Sequence, residues 1–151
     1  MKRLLICAVA LPLLLAADKD KADPKKELAK FDGTWTVASS EFDGKSLDEK
    51  TKDLRLAFKD GIMTVKGDEE VEKGYGKMTI KLDPSTTPKI IDLTVTAGDE
   101  KDSVLEGIYE WKGDELKLCL NFASGIANRP LEFETKAGSN RVLLVLKREN
   151  P

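Results

Sequence analysis

Leu105-Glu106-Gly107-Ile108-Tyr109-Glu110-Trp111-Lys112-Gly113-Asp114-Glu115-Leu116-Lys117-Leu118-Cys119-Leu120 is the stretch that decides the fold. Leu105, Gly107, Tyr109 and Trp111 recur at every second position, Gly113-Asp114 interrupts, and Leu116, Leu118, Leu120 and Phe122 resume the spacing. Every-second-residue alternation puts one set of side chains on one face of a strand, and a glycine–acid dipeptide turns the chain back. The stretch therefore reads as an antiparallel hairpin with a single apolar, aromatic-rich face.

The same pattern extends in both directions. Gly33-Thr34-Trp35 opens a strand in which Trp35, Val37 and Ser39 share a face. Leu54, Leu56 and Phe58 alternate up to Asp60-Gly61, a dipeptide whose residues both tolerate positive φ and so favour a tight hairpin. Ile62–Lys66 completes that hairpin, Gly67-Asp68 turns it, and a long strand region broken at Gly74 and Gly76 is expected to run to Leu82. A loop over Asp83–Pro88 leads to Ile91, Leu93 and Val95, and strands are expected at Leu131–Phe133 and Val142–Lys147. Two short helices interrupt the ladder: one capped by Asp23 with Pro24 first and Leu28 and Phe31 on its apolar face, one opened by a capping box over Ser46-Leu47-Asp48-Glu49. The sum is an all-β, antiparallel up-and-down β-barrel of about eight to ten strands, closed by pairing of the first and last.

Ahead of the barrel, Lys2-Arg3, the apolar run Leu4–Leu15 and Ala16-Ala17 have the layout of a secretory signal peptide over residues 1–17. As a helix, Leu4–Ala17 spans only ~21 Å, short of the ~30 Å apolar core of a bilayer, which argues for export to the periplasm or exterior rather than stable membrane insertion. Cleavage there removes two of 25 basic residues against 27 acidic ones, moving the net charge from −2 to −4, and it removes Cys7 so that Cys119 has no intrachain partner. Residues 18–30 alternate lysines with Asp18, Asp20, Asp23 and Glu27 and read as a charged, solvated linker, leaving a single domain over 31–149.

The barrel's closing elements carry a resemblance. Gly33-Thr34-Trp35 with Arg148 in the final strand resembles the lipocalin superfamily, in which a Gly-x-Trp on the first strand packs beneath an arginine from the last; Arg141 is the second choice. More closely, Phe42-Asp43-Gly44-Lys45, Leu54-Arg55-Leu56-Ala57-Phe58, Pro88-Lys89-Ile90-Ile91-Asp92-Leu93, Gly107-Ile108-Tyr109, Gly113–Cys119 and Arg129-Pro130 before Phe133 resemble a family of uncharacterised domains numerous in planctomycete bacteria. The resemblance implies a lipocalin-like barrel and transfers no activity. The Thr-Asp-Tyr element common in classical lipocalins is missing.

Catalytic chemistry finds little footing. The chain has no histidine, the residue that most often serves as acid, base or metal ligand. Glu132 and Glu134 share a strand face at a spacing of ~7 Å, which would suit an inverting glycosidase, and Glu106 and Glu110 share a face likewise. They alternate, however, with residues that belong in a core, so ordinary solvation explains them. Cys119 has only Lys117 beside it as an activating base and reads as an inert thiol. No metal ligand set and no cofactor motif is found, and an acidic domain without a basic stripe does not suit nucleic acid. The expected function is an exported, monomeric, non-catalytic binding domain. Trp35, Tyr109, Trp111 and Phe122 are the candidate contacts for a small apolar ligand in or at the mouth of the barrel, with Trp35 and Arg148 as its structural closure. The alternative is a protein–protein or structural module of the cell envelope.

Overall fold

A computed structural model, which describes residues 22–123 and 128–150, turns this alternation into nine strands and three short helices. In chain order they are α1 (Pro24–Ala29), β1 (Gly33–Phe42), β2 (Lys45–Ser46), α2 (Asp48–Thr51), β3 (Arg55–Lys59), β4 (Ile62–Lys66), α3 (Glu69–Tyr75), β5 (Lys77–Asp83), β6 (Lys89–Ala97), β7 (Val104–Lys112), β8 (Glu115–Asn121) and β9 (Arg141–Arg148). All pairings are antiparallel: β1 pairs with both β2 and β3, each strand from β3 to β8 pairs with the next, and β1 also pairs with β9, from Trp35 opposite Arg148 to Phe42 opposite Val142. Eight strands thus close a lipocalin-like up-and-down barrel, and β2 lies outside the ring as the return arm of a small hairpin on β1.

The inward rows that the alternation picks out are buried, and β4 adds Met63 and Val65 to them. Leu56 and Phe58, Met63 and Val65, Ile91, Leu93 and Val95, and Leu116, Leu118 and Leu120 are all buried. Asp60-Gly61 and Asp43-Gly44 make tight turns with positive φ at both residues.

Four local expectations are corrected. In β1 the register slips between Val37 and Ser39, so Ala38 forms a bulge and Ser40, not Ser39, faces inward. The region expected as one long strand before Leu82 contains α3: Asp68 caps it by accepting from the Val71 amide, and Glu69, Glu70 and Glu72 complement its N-terminal dipole. Val71 and Tyr75, four apart, were a helical signal that the glycines obscured. No capping box forms at Ser46; Leu47 is the N-cap of α2 and Asp48 instead accepts from the Ser40 amide at 2.7 Å. Leu131–Phe133 is not a strand, and Leu131 is 78% exposed.

The stretch 128–135 lies as a strap across the outside of β6–β8. Arg129 donates to the Gly107 carbonyl at 2.9 Å and pairs with Asp92 at 2.6 Å, while Pro130 is buried. The strap covers Ile108 and Cys119, cross-strand neighbours on the outer face. Both are fully buried even though they point away from the barrel interior. The expected signal peptide, 1–17, lies outside the described residues, as does the linker up to residue 21. From residue 24 the expected linker is the helix α1, which packs onto the barrel rather than standing in solvent.

Candidate functional site

The barrel has two ends of opposite character, and the four candidate ligand residues divide between them. At one end α1 lies across the opening. Its apolar face delivers Phe31, fully buried, against Phe58, Tyr109 and Trp111, with ring centroids 5.6, 5.3 and 5.0 Å away. Trp35 stacks at a tilt on Trp111 at 5.9 Å, and its indole N–H donates to the Phe31 carbonyl at 2.8 Å. The Arg148 guanidinium lies 4.4 Å from the Trp35 ring centroid. It donates to the Lys30 carbonyl at 2.7 Å and to the Asp32 carbonyl, so the last strand is tied to the end of the first helix. Arg148 therefore sits over Trp35, and Arg141, the second choice, lies at the opposite end of β9.

Glu27 of α1 completes this end and escaped the sequence reading. Only 6% exposed, its carboxylate accepts from Lys30 Nζ at 2.7 Å, Trp111 Nε1 at 2.8 Å, Lys89 Nζ at 3.1 Å and the Tyr109 hydroxyl at 3.2 Å. Burial alone would raise its pKa; hydrogen bonds from Lys30, Trp111 and Lys89, with the charge of Lys89, overcome this and lower it to about 2. Burial and the neighbouring Glu27 charge push the Tyr109 phenol well above its ordinary range, so it remains a donor. An isolated carboxylate would be costly here, but four donors satisfy it. The sequence signal was its position four residues before Phe31, on the face of α1 that meets the barrel.

Phe122 lies at the other end, where the architecture is different. α2 and α3 flank an apolar cavity of about 230 Å³ whose walls include Val37, Leu56, Val65, Leu105, Leu120 and Leu144. Phe122 meets Tyr75 of α3 at 5.2 Å and Phe42 at 6.5 Å, both edge-to-face. The Thr51 hydroxyl also lines this space but is committed to Ser40 Oγ at 2.6 Å and to the Leu47 carbonyl at 3.1 Å. That buried pair, with the Leu47 amide bonded to the Ser40 carbonyl at 2.9 Å, fastens α2 to the bulged strand. Tyr75, Phe122, Val71 and Leu47 are only half-buried, which marks where the cavity approaches solvent.

The carboxylate pairs do not assemble a cleft. Glu106 faces Arg129 at 3.5 Å, Glu110 pairs with Lys117 at 3.6 Å, and Glu134 pairs with Lys136 at 2.7 Å. Cys119 is sealed beneath the strap, its thiol raised above the ordinary range by burial, with Arg141 opposing, and directed at the Glu134 carbonyl. Among the described residues no helix is long and apolar enough to cross a membrane. A scan against protein-family models found no match, and comparison with curated proteins and with solved structures found none either.

Proposed function

We propose that this domain is a non-catalytic binding module that takes a small apolar molecule into the cavity between α2 and α3. The observation that carries the reading is the cavity itself: about 230 Å³ of space walled by hydrocarbon, methionine sulfur and aromatic edges. Water gains little there, because a buried water needs two to four polar partners and the Thr51 hydroxyl is already engaged. Taking a methylene as about the size of a water, ~30 Å³, the space holds roughly seven or eight of them. Burying that many at ~0.8 kcal/mol each yields ~6 kcal/mol before association costs, which caps the affinity at about tens of micromolar and places it in the millimolar range or weaker once those costs are met. Trp35, Tyr109 and Trp111 belong in this reading to the closed end of the barrel, and Phe122 alone of the candidate contacts touches the ligand.

Export to the periplasm or exterior forms part of the proposal through the leader-like residues 1–17, as does kinship with the planctomycete domain family through the motifs quoted above. The envelope-docking alternative has less to stand on. Among the described residues only Val104 and Leu131 are large apolar side chains in the open, and they make no broad apolar patch.

The test is titration with the apolar fluorophore N-phenyl-1-naphthylamine, whose phenyl ring is within the cavity's capacity while its naphthyl rings stay at the half-buried α2/α3 rim, repeated on Leu144→Trp, which fills the cavity from β9. Saturable fluorescence enhancement that weakens at least about tenfold in the variant supports the proposal, with near-ultraviolet circular dichroism confirming that the barrel is retained. Absence of saturation in the wild type, or unchanged binding in the folded variant, overturns it.

A further inference from the structure

We infer that the cavity takes the short alkyl chain of an amphiphile whose polar end is uncharged or cationic, and that it disfavours carboxylates. The inference rests on the binding reading above and concerns what the rim, rather than the wall, selects.

The wall offers no place for a polar head. Thr51 Oγ1 is tied to Ser40 and Leu47, and the remaining polar side chain on the lining, Tyr75, stands half-exposed on α3. A head group must therefore stay at the α2/α3 end, among the segments that surround it. Each of those segments carries more carboxylates than lysines. The β1–β2 hairpin with α2 (41–53) carries five carboxylates against three lysines. The α3 segment (66–77) carries four against three, and the β6–β7 loop (97–104) three against one, so the described rim has a surplus of five negative charges.

Ion pairs do not cancel this surplus, since Lys52–Glu49, Lys66–Glu72 and Lys73–Asp99 each remove one charge of either sign. Glu69, Glu70 and Asp102 stand exposed, and the Glu100 charge bears on Tyr75 at the lining itself. The nearest cations from the β8–β9 connection are engaged on the outer wall, Arg129 with Asp92 and Lys136 with Glu134, while Arg141 lies on the outer face of β9 near Cys119. A net negative surplus around a low-dielectric opening focuses a negative potential on it. An anionic head held there is repelled, a cationic one attracted, and a hydroxyl is indifferent.

The probes are octylammonium, 1-octanol and octanoate, which share one chain and differ only in head charge, each competing against N-phenyl-1-naphthylamine on the full chain. At about 10 mM salt the expected order is octylammonium, then octanol, then octanoate, with about three- to tenfold between the extremes and convergence at about 0.5 M salt. A double variant, Glu49→Lys with Glu70→Lys, replaces one exposed carboxylate on each flanking helix and should narrow or invert the order while leaving octanol unchanged. If octanol competes but octanoate binds as well as octylammonium, the rim does not select and the inference fails while the cavity reading stands. If none of the three displaces the fluorophore, the cavity reading falls and takes the inference with it.

Discussion

The two ends of this barrel are built from the same kinds of parts, a short helix laid against strand ends with aromatic side chains between them, yet they do opposite things. Beneath α1 the space is filled by Phe31, Trp35 and Tyr109, and the polar atoms at the edge are bonded to one another around Glu27. Between α2 and α3 the aromatic rings of Phe42, Phe122 and Tyr75 meet only edge to face beside an apolar cavity. Lys30–Glu27 and Lys52–Glu49 make the contrast concrete. Both are three-residue-spaced helical ion pairs, but the Glu27 side chain is 7% exposed and that of Glu49 is 90% exposed. Burial and convergent donors, not pairing as such, distinguish the closed end.

Mutations can break that comparison, the largest expected effect coming from Trp35→Ala. It deletes a fully buried indole and should cost about 3–5 kcal/mol in urea unfolding, whereas Phe122→Ala, at the cavity margin, should cost roughly 1–2 kcal/mol. Equal losses would mean the ends are equally packed.

Next is the pH profile. The pKa of Glu27 falls from 4.5 to about 2 on folding, so its contribution is fully present above pH 4.5 and disappears as the pH drops toward 2. Acid titration of unfolding should show up to about 3 kcal/mol more loss in the wild type than in Glu27→Gln across that window. Parallel profiles would remove Glu27 from the closure.

A smaller effect separates filled from unfilled space. Leu116→Phe, in the packed interior, should destabilise by about 1–3 kcal/mol, while Leu144→Phe, facing the cavity, should be neutral or slightly stabilising by thermal melt. The smallest effect expected is that of Lys52→Ala, which should leave the melting temperature unchanged within error, in contrast to Lys30→Ala on the same pairing chemistry.

The barrel was legible because period-two alternation and Asp-Gly turns are local signals, and the inward leucines and valines obey them strand after strand. Features that depend on one element meeting another were not. The bulge at Ala38 leaves no mark in the sequence, yet it turns Ser40 inward to grip α2. α3 was hidden because Gly74 and Gly76 resemble strand breakers, while its cap and acidic first turn are short-range cues that a dominant strand pattern overrode. Glu27 was lost among the lysines around it, since charge cancellation along a chain says nothing about which carboxylate will be drawn under a barrel. The candidate aromatics divide between the two ends, because a shared strand face does not reveal at what depth each residue sits. Tyr109 and Trp111 therefore fell at one end and Phe122 at the other.

Pairing of β1 with β9 has a consequence for attachment. Asp23, which caps α1, and Asn150, which follows β9, both emerge beside the Trp35–Arg148 end. A tag, surface or fusion partner joined through either route would leave α2 and α3 facing away from it. Immobilised by one end of its chain, the protein would stand on its Trp35–Arg148 end and turn its α2/α3 end to the medium.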